Sequence, residues 1–213
     1  MSISDNSIRV GIRHIKAQIP ALEPVISKAP RFDLTPNVPN PAAAFESLVL
    51  SVISQQISTS AAATISGRVQ KAMRGTITPL KVQRLSSQAF RELGVSGSKA
   101  RTIFELAAAV REKRIHLGEL ADMTDAEIIS ELSAIWGIGK WTAEMFLMFD
   151  LGRLDIWPAG DYGVRKGWQI VHRETEMTSE KQFNELGTEG SPYRSIAAWY
   201  CWRAIDLHKT GAI

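Results

Sequence analysis

Gly137-Ile138-Gly139 stands between two apolar segments, and that pair of glycines dictates a tight reversal of the chain. Upstream, Thr124-Asp-Ala-Glu127 is a capping box that starts a helix. Ile128, Ile129, Leu132 and Ile135 give it an apolar face, and Gly137 stops it. A second helix is predicted from about Thr142, with Ala143, Phe146, Leu147 and Leu151 inward and Gly152 ending it. Its first N–H groups have no partner inside the helix, and the positive end of the helix dipole points the same way. A phosphate fits there, the missing glycine side chains let it approach, and Lys140 adds a cation. Contact to backbone would bind nucleic acid without reading its sequence. The same residues also suit a plain helix–turn–helix. Gly139-Lys140 is not a P-loop, since the earlier glycine and the following Ser/Thr are missing. No strand precedes it, so it is not a dinucleotide fingerprint.

At 213 residues the chain can bury a substantial core. A net charge of +3 permits a polyanionic partner without demanding one. No apolar run is long enough for a membrane span, and no secretory signal opens the chain. An intracellular, cytoplasmic compartment is therefore expected. Cys201 is the only cysteine, which excludes an internal disulfide and a cluster needing four thiolates. His14, His116, His172 and His208 are scattered, so no transition-metal site is expected.

Residues 1–7 read as a loose end, and Ile8 to Ile26 as a weak amphipathic segment interrupted by Pro20 and Pro24. Pro30, Pro36, Pro39 and Pro41 mark an extended connection over 30–41. Phe45, Leu48, Val49, Val52, Ile53 and Ile57 share one helical face, followed by the uncharged Gln55-Gln56-Ile57-Ser58, which alone reads as a solvated turn. Ala61 to Met73 and Leu85 to Leu93 continue as helices. Ser96-Gly-Ser98 caps another, with Lys99 and Arg101 at its start as a solvent-facing pair or a second phosphate contact. Val164, Trp168 and Val171 mark a helix from about Asp161, Ser179-Glu-Lys-Gln182 caps the next, and Pro192 opens the last, to about His208. No segment alternates as a strand; the expectation is an all-α fold.

Asp161 after Gly160 looks like an N-cap, a position that favours the charged form of a carboxylate. A fixed carboxylate can stabilise positive charge developing on a sugar. Core packing is the ordinary role of any one tryptophan, but with four of the six between 136 and 168 not all are expected to be core.

Taken in order, Ser54-Gln-Gln-Ile-Ser58, the Gly-Ile-Gly hairpin with Lys140-Trp-Thr-Ala143, Pro158-Ala-Gly-Asp161 and Pro192-Tyr-Arg-Ser-Ile-Ala-Ala-Trp199 resemble the helix–hairpin–helix superfamily of DNA glycosylases. The likeness spans about residues 42–207 and is nearest the 3-methyladenine DNA glycosylase II branch of alkylation repair. It implies that Asp161 is catalytic. It implies DNA binding by Gly137, Ile138, Gly139, Lys140, Thr142, Gln55 and Gln56, with Gln56 filling the gap left by an extruded base. It implies a base pocket from Trp141, Trp202, Met145, Trp136 and Tyr162, with Trp157 a further wall candidate. Met145 stands where some relatives carry tyrosine, which leaves the lesion range open. Relatives that also nick the strand carry a Schiff-base lysine where this chain has Trp141, so a monofunctional enzyme is expected. An indole face suits the cationic bases that alkylation produces. The carbonyls of Trp136 and Ile138 are where relatives hold a monovalent cation; otherwise no metal or cofactor is expected.

The resemblance thus implies two helical lobes, 44–150 with the hairpin, and 1–43 plus 151–213 with the acid. Damaged double-stranded DNA would lie across the cleft of a monomer, with Asp161 at the cleft's mouth. Excision of 3-methyladenine and 7-methylguanine by hydrolysis is the leading reading. A glycosylase for other lesions and a non-catalytic DNA-binding module remain as alternatives.

Overall fold

In a computed structural model, which describes residues 4–33 and 40–213, every regular element among the described residues is a helix. The all-α expectation therefore holds. The chain forms two compact units: Asn37–Leu151, and Met1–Pro36 with Gly152–Ile213. No helix of the described residues is long and apolar enough to cross a membrane.

The order begins with α1 (Asp5–Gln18) and α2 (Glu23–Lys28), joined by a short 3-10 turn at Pro20. The expected loose end at 1–7 is corrected from Ser4 on, because Ser4 accepts from the Ser7 N–H and starts α1 there; residues 1–3 lie outside the described residues. So do 34–39, the middle of the expected proline-rich connection.

The unit 37–151 holds α3 (Pro41–Ser54), α4 (Thr59–Ala72), α5 (Pro79–Val82), α6 (Ser87–Glu92), α7 (Gly97–Arg111), α8 (Asp125–Ser133) and α9 (Lys140–Phe149). Phe45, Leu48, Val49, Val52 and Ile53 bury one stripe of α3 against α4, α7 and α9. Each such side chain contributes roughly 1.5–3 kcal/mol. Thr124 and Glu127 form the reciprocal capping box of α8, with N···O distances of 2.8 and 3.3 Å. α8 ends at Ser133, earlier than expected, because residues 134–137 tighten into the turn. α9 begins at Lys140, two residues before its expected start.

The second unit adds α10 (Tyr162–His172), α11 (Glu180–Leu186) and α12 (Arg194–Lys209) to α1 and α2. α10 and α12 meet backbone to backbone, since a Cβ on Gly167 would overlap the Cys201 carbonyl. Trp157 and Phe183 meet Trp168 edge to face and each other at a tilt, and Trp157 Nε1 donates to the Phe183 carbonyl at 2.9 Å. Trp157, 5 % exposed, is thus a core residue here. Pro192 precedes α12 without opening it. The Asp155 carboxylate accepts from the Arg194 N–H at 3.3 Å and pairs with its guanidinium at 2.7 Å.

Candidate active site and DNA-binding hairpin

The two hairpin glycines are required for different reasons. Gly137 has φ +84°, and a Cβ there would overlap Thr102 Oγ1, so the fold itself demands glycine. Gly139 has φ −95°, and a Cβ on it meets nothing within 4 Å. Nothing inside the chain requires glycine at 139; it leaves open space at the start of α9. No side chain caps that start, and Ala143 is the first residue whose N–H reaches back, to the Gly139 carbonyl at 3.2 Å. Lys140 is exposed and pairs with the buried Glu144 at 3.4 Å. Thr142 is 1 % exposed, and its hydroxyl oxygen accepts from Gln55.

The Gln55-Gln56 loop is fastened to this hairpin. Gln55 Nε2 donates to Thr142 Oγ1 at 3.0 Å and to the Gly137 carbonyl at 3.3 Å. Lys99 Nζ donates to the Ile53 and Gln55 carbonyls at 2.8 and 2.7 Å, covering the orphan end of α3. Lys99 is therefore neither of the two things the sequence suggested. Burial lowers its pKa. Held from both sides, the loop presents Gln56 exposed at φ +56°. That left-handed backbone is unusual for a non-glycine residue and marks a built position. Gln55 thus acts as a strut, and Gln56 is the side chain on offer. Arg101 lies 4.0 Å over the ring of Trp136, which is 44 % exposed.

Between α3 and α9 lies a cavity of about 380 Å³. Trp141, Met145 and Phe149 line it from α9, Ser47 and Ser51 from α3, and Asp150 closes the end of the α9 side. Asp150 is 7 % exposed. Burial pushes its carboxyl up to about 6, against the opposing effect of a hydrogen bond from Ser47.

In the other unit, the Pro158 carbonyl accepts the Asp161 N–H at 2.8 Å, and Asp161 caps α10 by accepting the Val164 N–H at 2.8 Å. The same carboxylate oxygen accepts from Trp202 Nε1 at 2.9 Å. Gly163 makes this approach fit, since a Cβ there would come within 2.8 Å of the Trp202 ring. The strap carrying Asp161 is pinned by Ser195, which donates to the Arg153 carbonyl at 2.7 Å and accepts the Ile156 N–H at 2.9 Å. Cys201 behind it is fully buried, and burial, then the Asp161 charge, push its thiol up, so it is no nucleophile. Tyr162 is 64 % exposed beside the acid. The result is a carboxylate with fixed orientation, able to face developing positive charge.

Residues 49–192 match the HhH-GPD superfamily of base excision DNA repair proteins. DNA-3-methyladenine glycosylase 1 of Schizosaccharomyces pombe is 32 % identical over 166 residues, covering 76 % of this chain and 73 % of its own. The fold is similar to a DNA-3-methyladenine glycosidase from Bacillus halodurans, with a TM-score of 0.80, 36 % identity and coverage of 99 % and 94 % of the two chains. It is also similar to S. pombe 3-methyladenine DNA glycosylase in complex with abasic DNA, with a TM-score of 0.82, 27 % identity and coverage of 91 % and 95 %. The chain belongs to the HhH-GPD superfamily of base excision DNA repair proteins. It is an N-glycosyl hydrolase type of DNA repair enzyme, in the alkylation branch that its motifs resemble.

Proposed function

We propose that this protein extrudes alkylated purines of the 3-methyladenine and 7-methylguanine kind from duplex DNA and hydrolyses their glycosidic bonds without cutting the strand. The observation that carries this reading is the Asp161 carboxylate, oriented by Val164 N–H and Trp202 Nε1. Water adds to C1′ as the C1′–N bond breaks. The bonding pair leaves on the base and neutralises its positive charge, and the water gives up a proton to the solvent. Asp161 opposes the charge that builds on the sugar meanwhile. Little acid catalysis is needed, because an alkylated purine already leaves easily.

The other roles follow from the placement of each residue. Uncapped N–H groups at the start of α9, with open space at Gly139, suit one backbone phosphate. Gln56, exposed at the loop tip, suits the vacancy in the base stack. Trp141 and Met145, half-buried on the cavity wall, suit a cationic base through a π face and a polarisable sulfur. With tryptophan at 141 there is no amine to form a Schiff base there. A monovalent cation of the kind the resemblance implies would be held by the hairpin carbonyls around Trp136 and Ile138. Such an ion would supply positive charge beside the bound phosphate, and no step of the reaction depends on it. Abasic DNA, present in the S. pombe complex, is what remains once a base has been removed.

The test is incubation with methylated duplex DNA, measuring free bases by chromatography and strand breaks before and after alkali. Release of 3-methyladenine and 7-methylguanine with breaks only after alkali is expected. Breaks before alkali, or no release, would refute the proposal.

A further inference from the structure

The polar end of the α3–α9 cavity has no part in the chemistry derived above. Trp141, Met145 and Phe149 recur every four residues along α9, and Ser47 and Ser51 face them from α3. One wall is therefore aromatic and thioether, and the other carries hydroxyls. The volume, about 380 Å³, is in the range of small-ligand sites. Asp150 stands at the far end, about 14 Å along the helix from Trp141 by the rise per residue. Asp150 is 7 % exposed, and Ser47 is the neighbour whose hydroxyl opposes the effect of burial on its carboxyl.

A carboxylate in such a place works against the fold, because burial penalises its charge and one hydroxyl does not restore what water gave. Titratable groups held in cavities at the expense of stability are where recognition chemistry gathers. The neighbouring acids are occupied elsewhere: Glu144 pairs with Lys140 outside the cavity lining, and Glu46 accepts from Gln70 at 2.8 Å. Asp150 is the one ionisable lining residue.

We propose that Asp150 is a specificity-determining residue that accepts a hydrogen bond from the 6-amino group of an extruded alkyladenine and disfavours the 6-oxo group of an alkylguanine. This rests on the reading that alkylated purines are the substrates and that Trp141 and Met145 receive them. An ionised carboxylate only accepts, so it complements a 6-amino donor and opposes a 6-oxo acceptor across the same edge. Both bases carry one positive charge when alkylated at N3 or N7. Attraction to the carboxylate is therefore common to both and cancels in their ratio. What remains is the hydrogen bond, and a site built for one rejects the partner that lacks it.

The test uses the whole chain at pH 8 on methylated duplex DNA containing both adducts, and compares initial rates of release of 3-methyladenine and 7-methylguanine. Wild type should favour 3-methyladenine. Asp150→Asn, whose amide can turn a donor toward O6, should lower the adenine-to-guanine ratio about tenfold, the effect of one base-edge hydrogen bond. Asp150→Ala should lower it as well, and Ser47→Ala, which keeps the carboxylate, should leave it near wild type. Intrinsic lability of the two bonds is the same in every tube, and affinity for abasic duplex should not change. An unchanged ratio in both Asp150 variants, with wild type releasing both bases, overturns this assignment and leaves the excision reading standing. Wild type that releases neither base overturns the excision reading, and this assignment with it.

Discussion

Trp202 Nε1 and Asp161 Oδ1 are 2.9 Å apart, and the same oxygen takes the Val164 N–H at 2.8 Å. Two donors from different helices therefore fix one carboxylate. The sequence places Trp202 in a pocket wall; its bond to Asp161 leads us to propose that it positions the carboxylate. Trp202→Phe keeps most of the ring and removes the donor. Single-turnover excision of 3-methyladenine should fall about ten- to a hundredfold, as for loss of one hydrogen bond to a charged group. Affinity for abasic duplex should stay the same. An unchanged excision rate would show that the bond has no part in the reaction.

The two hairpin glycines should separate folding from binding. Gly137→Ala meets both a positive φ and Thr102, and should destabilise the protein by about 2 kcal/mol or more in urea unfolding. Gly139→Asp places a good N-cap where a Cβ meets nothing, so stability should hold or rise slightly. The same change sets an anion where a phosphate is proposed to sit. Duplex affinity should drop about tenfold, and the salt dependence should shrink by about one phosphate contact. Unchanged affinity at low salt would remove the hairpin from the interface.

Asp150 gives the fold a pH dependence of known sign. Its folded pKa is raised from 3.8 to about 6, so the folded state holds the proton more tightly than the unfolded chain does. Stability is lost as pH rises through that window, and above it the loss is complete. At 1.36 kcal/mol per unit, the upper bound is about 3 kcal/mol. Asp150→Asn should therefore be more stable than wild type at pH 8, with the gap closing toward pH 4. Equal melting temperatures at pH 8 would contradict the burial of this charge.

Much of this was legible in local sequence. Thr124 and Glu127 announced a capping box, Gly137 a turn and Asp161 an N-cap, because each depends on neighbours within a few residues. What escaped depends on distant partners. Lys99 at the start of α7 looks solvated until the end of α3 arrives with two carbonyls needing donors. Gln55 and Gln56 look alike, yet Gln55 is spent on Thr142 and Gly137, and Gln56 alone is presented. Asp150 carries no local signal at all, and it is buried where the end of α9 meets the cavity beside α3. Ser195, wholly buried under the strap to Asp161, carries no local signal.

The most direct test of the central claim compares wild type with Asp161→Asn in single-turnover release of free 3-methyladenine from methylated duplex. Asparagine keeps the cap and the size while removing the charge. Release should fall by at least about a hundredfold, with binding of abasic duplex retained and no alkali-independent nick in either protein. A variant that excises at the wild-type rate would contradict the claim that the Asp161 carboxylate is the centre of the reaction.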